Sequence, residues 1–337
     1  MQQPADKISR PSNALKQILA AAFAILLLWL AFRGTNLGEL WRYSQNIKPL
    51  PLVLIFVSGL TGAFLRSYRW TILLRPLSDK KISQFNSFYA VMIGYAVNVA
   101  IPRGGEVARL LSICKSENLP WAGVLSTMLI DRMLDIALLV LLLGATLVIL
   151  PPELLASMPG LKQGGLALLA GVVLGLILLP NAGGILKKIL TLNLVKTRLP
   201  EKLSLKFAEL AEQFDTGTTA LKSAVLYPFI ALLSVAIWFT YWLNFYLMVF
   251  AFGLEDKIDA VKCLIIFTIG SVGVLIPTPG SVGSFHYLVK IATVATTHIP
   301  EDQALAFATV LHFMTFVVVT CVPAAILFLY KRFSKKE

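Results

Sequence analysis

Charged side chains are scarce in this 337-residue chain: Asp, Glu, Lys and Arg make up 14% of it, while apolar residues make up 57%. Soluble domains carry about 25% charged residues. With a mean hydropathy of +0.77, this shortage excludes an ordinary soluble fold. Cysteine is scarce too. Cys114, Cys263 and Cys321 are isolated, odd in number and without CxxC spacing, so neither a disulfide framework nor a zinc site is indicated. The three histidines, His286, His298 and His312, stand apart in sequence, and no metal site is expected. No Walker motif, DxD pattern or nucleophile–base arrangement appears. The chain is therefore expected to be no enzyme, to use no ATP and to need no cofactor.

What is present is a series of apolar runs near the ~20 residues that a bilayer requires. They fall at about 14–32, 50–65, 83–101, 122–150, 164–180, 224–252, 261–276, 283–297 and 304–330. Residues 14–32 are long for a signal-peptide core and precede no A-x-A site, so a retained first helix is expected. The net charge of +12 does not point to nucleic acid. The Lys and Arg lie in short loops, where positive charge sets topology and attracts anionic lipid.

Two motifs break the runs. One is Pro102-Arg103-Gly104-Gly105 after residues 83–101. The other holds Pro277, Pro279, Gly280 and Gly283, between two runs too short to span. Neither can continue a helix. Both units read as helical hairpins broken within the membrane. Gly94…Ile101-Pro102 resembles Gly270…Ile276-Pro277, which suggests a duplicated unit over about 14–150 and 164–330, with chance similarity as the alternative.

Charge separates two topologies. If both hairpins are re-entrant, the inside segments sum to +13 and the outside segments to −1. If the hairpins cross, residues 181–222, with seven Lys/Arg, lie outside, against the positive-inside rule. The expected fold is thus an all-α polytopic integral membrane protein, one transmembrane domain over 1–337. It has about six transmembrane helices, two re-entrant hairpins and an inverted repeat. Both termini face the cytoplasm, at the cell's inner (plasma) membrane. Residues 181–222 read as a cytoplasmic amphipathic segment or a plain basic loop.

Several residues can carry chemistry. A helix starting near Glu106 would offer free N–H groups to an anion. Arg103 offers a bidentate phosphate contact, Gly104 and Gly105 allow close backbone approach, and Asn98 precedes the break. Glu106 and Arg109 are three apart and can pair. The plain alternative is a cytoplasmic turn with a solvated ion pair. Asp131, Arg132 and Asp135 interrupt an apolar run, which is costly in a span. Arg132 reaches Asp135 by spacing. They are either a structural ion pair or a coupling and ligand-positioning group. Arg66, Arg69 and Trp70 are either an interfacial anchor or a headgroup-capture face. The second break can form an anion-binding nest. His286 is either a titrating group or a packing residue, and Lys290 either a counter-charge or a snorkelling side chain.

These residues, in this order, resemble the flippase-like family: the transmembrane region of lysylphosphatidylglycerol synthases and its stand-alone, UPF0104-like relatives. The resemblance covers about 14–330. It rests on Arg66/Arg69-Trp70, on Asn98…Pro102-Arg103-Gly104-Gly105-Glu106…Arg109, on Asp131-Arg132…Asp135 and on Pro277…Pro279-Gly280…Gly283. His286 stands where relatives more often have Glu. The resemblance implies movement of an anionic phospholipid or lipid-phosphate between leaflets. Headgroup contacts would come from Arg103, Glu106, Arg109, Asn98, Arg66, Arg69 and Lys290. Expected partners are anionic membrane lipids and a lipid-modifying enzyme. Bifunctional members carry an aminoacyl-transfer domain after this region, and that activity is not expected here. The rival expectations are a membrane enzyme on lipid-linked substrates and an accessory scaffold.

Overall fold

The computed structural model describes residues 25, 26, 28, 29, 36–101, 103–149, 160–178, 184, 185, 188, 201–219 and 226–333. Among these residues every regular element is helical. Most of the expected first span, 14–32, lies outside the described residues, as does much of 181–200.

A short helix α1 (Leu37–Gln45) is capped by Asn36, whose side chain accepts from Gly38 and Glu39. It leads into α2 (Pro49–Leu74). Proline suits a first helical turn, where its missing N–H has no partner to lose. α2 runs unbroken until Pro76, where a 3₁₀ turn closes it. α3 (Gln84–Ala100) is capped by the Ser83 hydroxyl. Ile101 is extended, as expected before proline, and Pro102 itself lies outside the described residues. α4 (Gly104–Glu117) begins two residues before Glu106 and ends at left-handed Asn118. Next come α5 (Trp121–Ile149), α6 (Leu161–Leu178), α7 (Glu201–Thr218) and α8 (Leu226–Ala251).

Asp259 caps α9 (Ala260–Leu275). A turn follows, with a 3₁₀ segment at Pro279–Ser281. α10 is Ser284–Thr297 and α11 is Glu301–His312. A π-helical segment, Phe313–Val318, joins α11 to α12 (Val319–Phe333). Glu301–Phe333 is thus one 33-residue rod.

Four described helical segments are long and apolar enough to cross a membrane: Pro49–Leu77, Trp121–Ile149, Leu226–Ala251 and Glu301–Phe333. The 17 residues of α3 and 14 of α10 give about 26 and 21 Å of helix, short of the ~30 Å hydrocarbon core. α3 packs on α4, and α9 on α10, so each Pro/Gly break is the tip of a helical hairpin. α7 makes residues 201–218 of the basic segment helical and packs against α5.

The two hairpins start from opposite ends of the bundle. The open end of α3–α4 lies beside the end of α12, where Lys331 reaches Asn86 at 3.2 Å and Ser116 at 3.0 Å. The open end of α9–α10 lies at the other end. There Lys48 bonds Glu255 at 3.0 Å and the Asn36 amide bonds Asp302 at 3.1 Å. The tips meet: a Cβ added to Gly280 would lie 3.3 Å from the Val99 carbonyl oxygen. One apolar core surrounds each hairpin, the first built on Trp70, Ile113 and Ile130, the second on Phe245, Phe267 and Phe285.

Candidate functional site

Charged residues gather between these two cores. Along α2, Ile55 belongs to one core and Trp70 to the other, with Arg66 between. Along α8, Leu233 and Phe245 bracket Ser234 and Tyr241 in the same way. About 12–15 Å of helix separates Arg66, Asp131 and Ser234 from the near ends of α2, α5 and α8.

Arg66, Arg69, Arg109, Asp131 and Asp135 are all buried, Asp131 and Arg69 completely. Arg69 donates from Nε and Nη2 to Asp131 Oδ1 at 3.1 and 2.6 Å, and from Nη2 to Asp135 Oδ1 at 2.8 Å. Its Nη1 donates to Ser234 Oγ at 2.7 Å. Arg66 donates to Asp131 Oδ2 at 3.1 Å, to Asp135 Oδ2, and to the Tyr241 hydroxyl at 3.3 Å. Arg109 reaches across from α4 to Asp131 Oδ2 at 3.0 Å. Its guanidinium lies 3.8 Å from the Trp70 ring centroid, and the Trp70 N–H is fixed by Thr127 at 3.1 Å. A cation over an indole face is attracted by the ring quadrupole. Arg132 and Glu106 form a half-exposed pair at the rim.

The local pairings expected from spacing are not made. Glu106 bonds Arg132 and not Arg109; Arg132 bonds Glu106 and not Asp135. Successive helix positions turn by about 100°, so Arg132 leaves the Asp131/Asp135 face and points to α4. Arg66 and Arg69 are not an interfacial anchor, because both lie inside the protein.

The helix-end cradle also differs. Gly104 N–H donates to Ile101 O at 3.0 Å, Gly105 N–H to Asn98 Oδ1 at 2.8 Å and Glu106 N–H to Arg103 O at 3.4 Å. The first amides of α4 are therefore occupied internally, and Asn98 acts as a cap. Arg103 is exposed and in left-handed conformation at φ 60°. In the second break, Ser281 and Val282 amides bond Thr278 and Pro279 carbonyls, and Gly283 N–H meets His286 Nδ1 at 3.4 Å. These amides face into the turn, so they do not form the anion nest. Lys290 is buried and bonds Glu301 at 3.2 Å.

His286 is not a lone histidine. Its ring centroid lies 4.6 Å from that of His312, which stacks on Phe316 and meets the Gly280 carbonyl at 2.7 Å through Nε2. Ser234, Tyr241 and His312 were not singled out by the sequence reading. Ser234 and Tyr241 are seven apart on a mostly apolar helix that also buries Thr240 and Asn244, and this two-turn spacing puts them on one face.

The cluster contains Arg66, Arg69, Arg109 and Arg132 against Asp131, Asp135 and Glu106, so one positive charge is left over. Arg66 Nε, Arg109 Nε and Arg109 Nη2 are buried without a hydrogen-bond partner. Unpaired donors of this kind are expensive to bury.

Apolar helices with charge at their centre define an integral, polytopic α-helical membrane protein. The chain belongs to the family described as the lysylphosphatidylglycerol synthase TM region, whose model matches residues 17–322. It is also similar to a UPF0104 membrane protein of Methanocaldococcus jannaschii, 27% identical over 124 residues. That match spans 36% of this chain and 36% of the relative, so it covers about a third of that protein's length. No solved structure matches the chain.

Proposed function

We propose that the chain is a lipid translocase that takes the phosphate of an anionic lipid at the Arg66–Arg109–Asp131 cluster. One observation carries this reading: the buried cluster has one more arginine than carboxylates, together with three unpartnered guanidinium nitrogens. A phosphate supplies both the missing charge and the missing acceptors. Desolvating it unpaired costs several kcal/mol, which a ready cationic site offsets. The acyl tails stay in the bilayer while the headgroup passes between the hairpin tips. The chain makes and breaks no covalent bond in this reading, and a lipid-modifying enzyme in the same membrane supplies or consumes the lipid.

The hairpins are re-entrant, and the two halves form an inverted repeat around the tips. What supports this is their short helices, their opposite starting ends and the contact of Gly280 with Val99. The end carrying Arg75, Lys80, Lys81, Lys115, Lys331 and Arg332 faces the cytoplasm of the plasma membrane, as positive charge prefers. Both termini lie on that side.

The test is leaflet exchange of tail-labelled phosphatidylglycerol in proteoliposomes. Wild type is expected to accelerate exchange, and Arg109→Gln to slow it at least tenfold. Arg103→Ala, which alters an exposed side chain, should lower it only a few-fold. Absence of protein-dependent exchange for every anionic lipid tried would refute the translocase.

A further inference from the structure

Exposure sets the Glu106–Arg132 pair apart from the other charges of the cluster. The Arg132 side chain is 41% exposed and that of Glu106 30%, whereas Asp131 and Arg69 are fully buried and Arg66 and Arg109 nearly so. The pair bridges α4 and α5. Glu106 lies eleven positions from the open end of the hairpin at Glu117, and Arg132 eleven from Trp121. Both counts give about 16 Å of helix, half of the ~30 Å hydrocarbon core. Ionisable groups at such depth face the protein interior or a water-filled cavity. A half-exposed ion pair there marks a wet crevice between α4 and α5. Val107, next to Glu106, and Leu129, one turn before Arg132, are exposed apolar residues. The mouth of the crevice thus offers charge to a headgroup and apolar surface to its tails.

Behind the pair lie the buried groups. Arg109 is one turn along α4 from Glu106, Asp131 adjoins Arg132 on α5, and these two bond each other at 3.0 Å. Arg109 Nε and Nη2 have no hydrogen-bond partner. We propose, on the translocase reading, that Arg132 is the entry contact for the lipid phosphate, and that the Glu106 carboxylate holds the phosphate's place in the resting state. Carboxylate and phosphate each present oxygens to the guanidinium fork, so an arriving phosphate exchanges for Glu106 on Arg132. The displaced carboxylate is solvated at the half-exposed rim, and opening such a pair costs little. Opening the buried Asp131 contacts would cost far more. From Arg132 the phosphate moves one layer inward to the unpartnered Arg109 nitrogens, and Arg132 returns to Glu106 behind it. The two members of the pair therefore act with opposite sign: Arg132 draws the headgroup in, and Glu106 competes with it.

The test measures leaflet exchange by the purified full chain against the mole fraction of tail-labelled phosphatidylglycerol, with the thermal unfolding midpoint of each variant. Glu106→Gln, which leaves Arg132 a weaker competitor, should lower the half-saturating fraction about two- to fivefold. Arg132→Gln should raise it at least fivefold, with a smaller effect on the saturating rate. Arg109→Gln, one layer deeper, should act mainly on the saturating rate. Losses of the same sign in Glu106→Gln and Arg132→Gln, or no effect of either, would make the pair a structural link. That result overturns the entry role and leaves the translocase standing. No exchange by wild type with any anionic lipid removes both. A further arm adds millimolar inorganic phosphate, which should leave the half-saturating fraction of wild type where it is. A rise as large as that in Arg132→Gln would mark a free-anion site and overturn the docking of a lipid.

Discussion

Asp131 accepts from three arginines on two helices, and Asp135 from two on one. The two aspartates look alike in the sequence, four apart on one helical face. Their difference comes from Arg109, which approaches only because the first hairpin folds back against α5. Removing one partner of a buried charge network leaves the others uncompensated, at about 3–5 kcal/mol. Asp131→Asn should therefore lower the thermal unfolding midpoint in detergent markedly, and Asp135→Asn less. Similar midpoints for both variants and wild type would refute the network as drawn. The sequence showed that these residues were special, because charge in an apolar run is expensive. Their partners were not legible. Spacing of three or four permits a local pair, but Arg66 and Asp131 are 65 positions apart, and no local rule chooses between them.

Elements are placed here by small residues. A Cβ on Gly59 would lie 2.6 Å from the Val319 side chain, and one on Gly62 would run into Thr240. These glycines let α2 approach α12 and α8 closely, as small residues do where helices pack in membranes. Arg66 and Arg69 follow one and two turns later, so the same approach brings them to Ser234 and Tyr241. In the first hairpin, a Cβ on Gly105 would clash with the Gly94 carbonyl and Asn98. Glycine was read as freedom for a ligand to come near; the close neighbour is instead the backbone of α3. Gly105→Ala should open the hairpin and cost about 1–3 kcal/mol, visible as a lower unfolding midpoint together with reduced lipid exchange. Wild-type stability in that variant would show that α3 and α4 are not packed this closely. Hairpins and their tips were legible, because proline and glycine end helices wherever they occur. The internal use of the tip amides was not, since it depends on Asn98 and the turn carbonyls reaching back.

At the scale of the whole molecule, charge and geometry give the same polarity. Arg75, Lys80, Lys115 and Lys331 gather at one end of the bundle, and Glu255, Asp256, Asp259, Glu301 and Asp302 at the other. A re-entrant hairpin returns to the side it left, so it leaves the side of the next span unchanged. A crossing hairpin reverses it. The loop at Lys80 precedes the first hairpin, and the loop at Lys257 lies between α8 and the second, so the two topologies can be separated by single exposed residues. In a background with Cys114, Cys263 and Cys321 replaced, Lys80→Cys and Trp121→Cys bracket the first hairpin, and Lys257→Cys and His298→Cys the second. A membrane-impermeant thiol reagent added to sealed cells should label 257 and 298 from outside. Positions 80 and 121 should react only after permeabilisation. Labelling of 80 and 121 from opposite sides would mean that α3–α4 crosses. The hairpin tips then could not face each other as they do at Gly280 and Val99, and the proposed translocase would lose the re-entrant topology it is built on.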